Sequence, residues 1–309
     1  MKILWRFAPL SLILSAAYLG TPFFIHAQST TLSISPLTFE LTANPGDSIS
    51  NVIRVFNNGD APMSITMVAE DFTAAGERGE VALSAEGRET FSLSKWITVI
   101  PESFIVNPHS FQAVQFTVSV PLNGEPGGHY GSVLASSGAV EPGSGGAAIA
   151  QKIGSLLLLQ VAGAVQEEMS IRSFTAPAFS EYGPITMTGR FENTGTVHLK
   201  PRGFVLVKDV LGRETARLEL PQLNVLPNSI RQVDTELPDK RLFGKYSATL
   251  TAIYGSTNEP LAYTTTFWVV PWKVLGATLI GLLILAFLLY LARRRLSLAL
   301  SVLVTGKKR

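Results

Sequence analysis

Residues 48–60 read SISNVIRVFNNGD, and this stretch decides the fold. Along Ser48–Phe56, Ile49, Asn51, Ile53 and Val55 share one face, while Ser50, Val52 and Arg54, mostly polar, share the other. A period of two marks a half-buried β-strand. Asn58-Gly59-Asp60 then ends it with turn residues, because Gly takes a positive φ freely and Asn and Asp side chains bond nearby backbone. Outward from here the pattern recurs. Phe111–Val120 sets Phe111, Ala113, Gln115 and Thr117 against Gln112, Val114, Phe116, Val118 and Val120. Asn44-Pro45-Gly46-Asp47, Asn107-Pro108, Glu125-Pro126-Gly127-Gly128, Leu211-Gly212 and Pro227-Asn228 punctuate other β-rich runs. No run before residue 270 combines a helical period with caps at helical length. Short strands with regular turns predict β-sandwiches.

Three segments recur in the same order. Arg54-Val55-Phe56-Asn57-Asn58-Gly59 returns as Arg190-Phe191-Glu192-Asn193-Thr194-Gly195. Pro108–Val114 returns as Pro227–Val233, and Gly128-His129-Tyr130 returns as Gly244-Lys245-Tyr246. Ordered repeats predict two tandem immunoglobulin-like sandwiches, 28–166 and 167–270. In each, Asn-x-Gly turns a hairpin, Pro-x-Ser opens a strand, and Gly-x-Tyr opens the next-to-last strand. Tyr130 and Tyr246 are then expected to tuck their rings into the core, with hydroxyls bonded to backbone, as in a tyrosine corner.

Apolar segments flank this all-β body. Lys2 and Arg6 precede an uncharged stretch from Phe7 to Ala27, which predicts a secretory signal peptide over 1–27; an uncleaved anchor is the other reading. Val274–Ala292 holds 19 residues without a charge. At roughly 1.5 Å per residue it spans about 28 Å, enough for a bilayer core. Trp268, Trp272 and Tyr290 lie near its ends, and Arg293-Arg294-Arg295 follows. This predicts a transmembrane helix over 271–292, with a basic cytoplasmic tail over 293–309 and the sandwiches outside. The tail reads equally as an interfacial helix or as an extension of the membrane helix.

The 309 residues carry 25 Lys and Arg against 23 Asp and Glu. All 23 carboxylates but only 16 cations lie within 28–270, leaving that body with a net charge of −7. An acidic body argues against a nucleic-acid partner. The absence of Cys excludes disulfides, thiolate metal sites and a Cys nucleophile. The four His, at 26, 109, 129 and 198, form no ligand spacing, and no cofactor fingerprint occurs. Ser92-Leu93-Ser94-Lys95 matches S-x-x-K but lies in a run that reads as strand, without the companion motifs. No catalytic, metal or cofactor residues are assigned, and the chain reads as non-enzymatic. Candidate contact segments are the loops Ser136–Ala150 and Asp71–Glu80. The strand Ile153–Val161, apolar on both faces at Leu156–Leu159, reads as central or as a partner-binding edge, with central favoured.

The stretches Leu41–Val55, Asn57-Asn58-Gly59-Asp60 and Pro126–Leu134, with the layout of signal, two sandwiches, membrane helix and basic tail, resemble bacterial WxL-interacting cell-surface proteins. The resemblance implies that the first unit binds peptidoglycan of the cell wall and the second a surface protein. It places no binding residues on this chain. The first unit is also similar to pilus-chaperone sandwiches, with Lys152 near the basic anchor position. That similarity implies a membrane-tethered assembly chaperone as the alternative function, although the early strand Leu32–Leu41 has no Arg.

Overall fold

The computed structural model describes residues 32–84, 91–137, 151–238 and 242–305, with side chains through Arg293. Ten strands form the first sandwich. One sheet has the order β1-β3-β8-β6, from Leu32–Ser35, Ser48–Asn57, Ser110–Ser119 and Ile97–Ile100. The facing sheet has the order β2-β10-β9-β4-β5, from Thr38–Ala43, Lys152–Val161, Gly127–Ser137, Met63–Ala75 and Glu80–Ser84; β7 (Ser103–Val106) also pairs with β4. Eight strands form the second sandwich. Its sheets are β11-β13-β16 (Met169–Thr175, Ile185–Asn193, Ser229–Leu237) and β12-β18-β17-β14-β15 (Phe179–Ser180, Glu259–Val269, Gly244–Tyr254, Arg202–Asp209, Glu214–Glu219).

Both units switch sheets early. β1 pairs antiparallel with β3, and after Pro36 the chain crosses to pair β2 parallel with β10. β11 pairs with β13, and β12 then pairs parallel with β18. Proline, which has no N–H to give a ladder, suits the crossing point. The alternation read at Ser48–Phe56 is present: Ile53 and Val55 are fully buried, while Ser50, Val52 and Arg54 are exposed. Ile53, Phe116, Leu157 and Leu159 fill the first core; Met187, Phe191, Leu250 and Phe267 fill the second.

Two of the three repeats coincide in detail. The Asn57 Nδ2 donates to the carbonyls of Ala61 (2.8 Å) and Val106 (3.0 Å), and its Oδ1 accepts from the Gly59 N–H (3.0 Å). Asn193 repeats this with Val197 and Val225 (both 2.8 Å) and with the Gly195 N–H (2.9 Å). His109 and Asn228 both take a left-handed backbone, at φ 51° and 53°, before the Ser that opens β8 or β16.

The third repeat is shifted by one residue. The strand-opening glycines are Gly127 and Gly244, opposite Val161 and Val269, which in turn lie opposite the last residues of β2 and β12. Tyr246 therefore corresponds to His129, and Tyr130 to Ser247. A one-residue slip in a strand reverses the face. Tyr246 enters the second core, where its hydroxyl accepts from the Phe243 N–H (3.1 Å) and donates to the Phe243 carbonyl (3.3 Å). His129 takes the matching place in the first unit, its ring nitrogens facing the carbonyls of Ser92 and Glu125, each at 2.9 Å. Tyr130 points out of the sandwich, so the expected first corner is corrected.

Ser94–Trp96, expected within a strand, is a single 3₁₀ turn. The buried Asp71 carboxylate accepts from the Ser92 hydroxyl and from the N–H groups of Leu93 and Ser94, which holds the chain in that turn. Among the described residues one α-helix, α1, runs from Trp272 to Thr305. It contains an apolar span from Trp272 to Arg293, none of it buried in protein. The helix continues beyond Ala292, the extension alternative for the tail. Leu, Ala and Arg favour helix, and no Gly or Pro occurs between Ala292 and Gly306. The segment read as a signal peptide lies outside the described residues.

Candidate binding cleft between the sandwiches

The outward turn of Tyr130 builds the seam between the units. Its ring folds back over Gly128, where a Cβ would lie 2.0 Å from the hydroxyl, so only Gly leaves it room. The backbone of the same strand reaches across, the Gly128 N–H donating to the Thr196 carbonyl at 2.9 Å. Tyr130, Phe72 and Leu158, each at most 4% exposed, form a small second core with Phe91, Leu156 and Leu226 packed on it. Leu226 comes from the second unit. This explains the doubly apolar run Leu156–Leu159: Leu157 and Leu159 face the first core, and Leu156 and Leu158 face the seam.

Polar contacts fix the rim. Asp71–Glu80, read from sequence as a polar hairpin tip and candidate contact segment, is the end of the β4–β5 hairpin, and its tip clasps the second unit. Glu77 forms a two-pronged ion pair with Arg190, and its carbonyl accepts from the Gln232 N–H at 2.7 Å. On the other side, Glu40 accepts from Lys200 (2.6 Å) and Asn224 (2.8 Å). The Lys200 hydrogen bond holds the Glu40 carboxyl below its ordinary range. Burial pushes the Tyr130 phenol up, so it stays a neutral O–H, 3.4 Å from His198 Nδ1. Burial likewise lowers His198.

Two clefts flank the seam and share Phe72 and Leu226 as a common wall. The larger, of about 570 Å³, is lined by Phe72, Phe91 and Tyr130, with Ser92, Asn228 and Ser229 among its polar groups. The smaller, of about 300 Å³, lies over Thr38, Glu40, Leu156 and Arg231. The Arg231 side chain crosses Gly79 with its Nε buried and without a hydrogen-bond partner. Among the described residues no group of three His, Cys, Asp or Glu side chains converges to hold a metal. Apolar walls interleaved with fixed polar groups suit ligand binding. In the loop Ser136–Ala150, Ser136 and Ser137 end β9, and 138–150 lie outside the described residues.

The strand Ile153–Val161 is internal over most of its length. β2 covers one edge from Leu156 to Val161, and β9 covers the other throughout. On the β2 side, Lys152–Ser155 pairs with no strand among the described residues.

No family model matches the chain, and no curated protein matches it. Solved structures do. The class 5 fimbriae chaperone CfaA is 10% identical, with a TM-score of 0.38 over 76% of this chain and 98% of that one. The CupB2 chaperone of Pseudomonas aeruginosa is 10% identical, with a TM-score of 0.36 over 77% and 100%. The PapD-like domain 7 of human CEP192 is 16% identical, with a TM-score of 0.31 over 44% and 88%. Likeness this distant assigns no activity. The chain's own strand order defines its class: two strand-switched, immunoglobulin-like sandwiches followed by one long apolar helix.

Proposed function

We propose that this chain is a non-enzymatic binding protein of the bacterial cell surface that holds a cell-wall polymer, peptidoglycan, in the larger cleft of the seam. The observation that carries the reading is the aromatic wall of Phe72, Phe91 and Tyr130, held by a fixed inter-unit contact and edged with hydroxyl and amide groups. Phe91 is only partly buried and offers ring surface to a ligand, Phe72 and Tyr130 fix the floor beneath it, and the polar rim supplies orientation. The reading agrees with the resemblance to WxL-interacting proteins. In it α1 crosses the membrane, the arginine cluster faces the cytoplasm, and the sandwiches stand outside. The full chain in detergent micelles should sediment with insoluble purified peptidoglycan. Ala74→Trp, at an exposed position on the cleft wall, should fill the space and leave a folded protein in the supernatant. Sedimentation of that variant at the wild-type level would refute the cleft. Failure of the wild type to sediment, with capture of a surface protein instead, would move the reading to the protein partner.

A membrane-tethered assembly chaperone is the second reading, and the open edge of β10 at Lys152–Gly154 favours it. An extended peptide added there would gain a ladder only a few residues long. Loss of peptide binding on Lys152→Pro, at an exposed position of that edge, with the fold retained, would support this reading.

A further inference from the structure

The end of the second sandwich nearest α1 carries a cluster of exposed apolar side chains. Two residues separate the end of β18, Val269, from the start of α1, Trp272. Strand register brings other tips to the same level. Asp209 lies opposite Tyr246, and Tyr246 opposite Phe267, so the β14–β15 turn sits beside the last residues of β18. At that tip Val210 and Leu211 are 75% and 71% exposed. Phe243, just before β17, is 66% exposed, and Phe179 lies opposite Trp268 with both half exposed. Isolated exposed apolar residues are ordinary, but several converging on one end of a domain mark a contact surface.

The tip is also rigid. Asp209 Oδ1 accepts from the N–H groups of Leu211 and Arg213, both at 2.9 Å, and its Oδ2 accepts from Arg213 Nε at 2.8 Å. Gly212 takes φ 77°, closing the turn with Val210 and Leu211 outermost. Two carboxylates here are paired with cations, Asp209 with Arg213 and Glu181 with Lys273, and Glu214 lies opposite Lys208 in register.

We propose that this end of the second sandwich is a membrane-docking surface: Val210, Leu211, Phe243, Phe179, Trp268 and Trp272 sit in the lipid headgroup interface around the helix. The inference rests on reading α1 as membrane-spanning. Chain continuity selects the lipid as occupant, since two residues cannot hold the sandwich far from a bilayer that begins near Trp272. Aromatic and apolar side chains of this kind favour the interface. Docking fixes the sandwich on its anchor, so that the seam and its clefts stand at a set height above the membrane.

The chain has no Cys, so single cysteines can carry a nitroxide spin label. The full chain is reconstituted in phosphatidylcholine–phosphatidylglycerol vesicles with the label at Leu211→Cys, Thr257→Cys or Leu283→Cys. Thr257 lies on the β17–β18 turn at the opposite end of the sandwich, and Leu283 lies within the helix. Collisions with dissolved oxygen and with a water-soluble nickel chelate report depth. The Leu283 label should be deep and the Thr257 label aqueous. At Leu211, nickel collisions should be several-fold fewer than at Thr257, and Val210→Asp in the same chain should raise them. A Leu211 label as accessible as Thr257, with Leu283 deep, would overturn the docking surface and leave the anchor standing. Indifference to Val210→Asp would also overturn it. An aqueous Leu283 label would overturn the anchor and the docking surface together.

Discussion

Replacing Tyr246 by Phe removes one hydroxyl and leaves the ring, stacked on Phe267 at 5.6 Å, in place. The hydroxyl's partners are the N–H and carbonyl of Phe243, at 3.1 and 3.3 Å. Losing a neutral hydrogen bond of this kind costs about 0.5–1.5 kcal/mol. Tyr130→Phe is the informative contrast. Its hydroxyl meets His198, with Nδ1 at 3.4 Å, the outer limit of hydrogen-bonding reach, and the His198 backbone. These contacts are weaker than the Phe243 pair and return less of the desolvation of the buried phenol, so the substitution should cost roughly 0.5 kcal/mol or less. Removing either ring with Ala should cost about 3–5 kcal/mol. The losses fall in different places: Tyr246→Ala weakens the second core, and Tyr130→Ala the docking of the two units. Urea unfolding of the full chain in detergent micelles, followed by tryptophan fluorescence, measures each. At a slope near 2 kcal/mol per molar urea, 1 kcal/mol moves the midpoint by about 0.5 M. If Tyr130→Phe costs as much as Tyr246→Phe, both tyrosines are corners and the one-residue shift between the repeats is wrong.

Two other perturbations probe the duplicated turns and the seam. Asn193→Ala strands two carbonyls and one N–H in a fully buried site and should cost about 3–5 kcal/mol, as should Asn57→Ala; a urea-midpoint loss equivalent to under about 1 kcal/mol at either would show that these side chains do not staple the turns. Burial holds His198 below its ordinary value of 6.5, so below that pH the unfolded chain binds more protons than the folded one. The stability it leaves intact above pH 6.5 should therefore fall as the pH drops through and below 6.5, and His198→Gln should flatten the curve between pH 7 and 5.5. Glu40, held below 4.5 by Lys200, adds a further loss only as the pH falls below that value. An unchanged wild-type urea midpoint from pH 7 to 5.5 would remove His198 from the seam's energetics.

The strands, the duplication and the membrane-length helix were legible because each leaves a local pattern: period two, ordered turn residues, an uncharged run. The shift at the third repeat was hidden because Gly127 and Gly128 are adjacent. Either can open β9 by sequence, and only the pairing of Gly127 with Val161 chooses between them. The seam was hidden for a related reason. Leu156 and Leu158 signal an apolar neighbour on the outer face of β10, but a local pattern does not say that Leu226, 68 residues beyond Leu158, supplies it. The tip Gly76–Gly79 reads as a polar turn, and its role as a clasp depends on Arg190 from the other repeat.

Amide hydrogen exchange of the full chain in lipid nanodiscs, with and without soluble peptidoglycan fragments, tests the binding cleft most directly. Saturating fragments should slow exchange at 71–74, 91–92 and 226–229, the backbone around the larger cleft, and leave β15 and β18 in the second unit unchanged. Unchanged exchange at saturation, or slowing confined to other segments while the fragments bind, would contradict a wall-binding site at the seam.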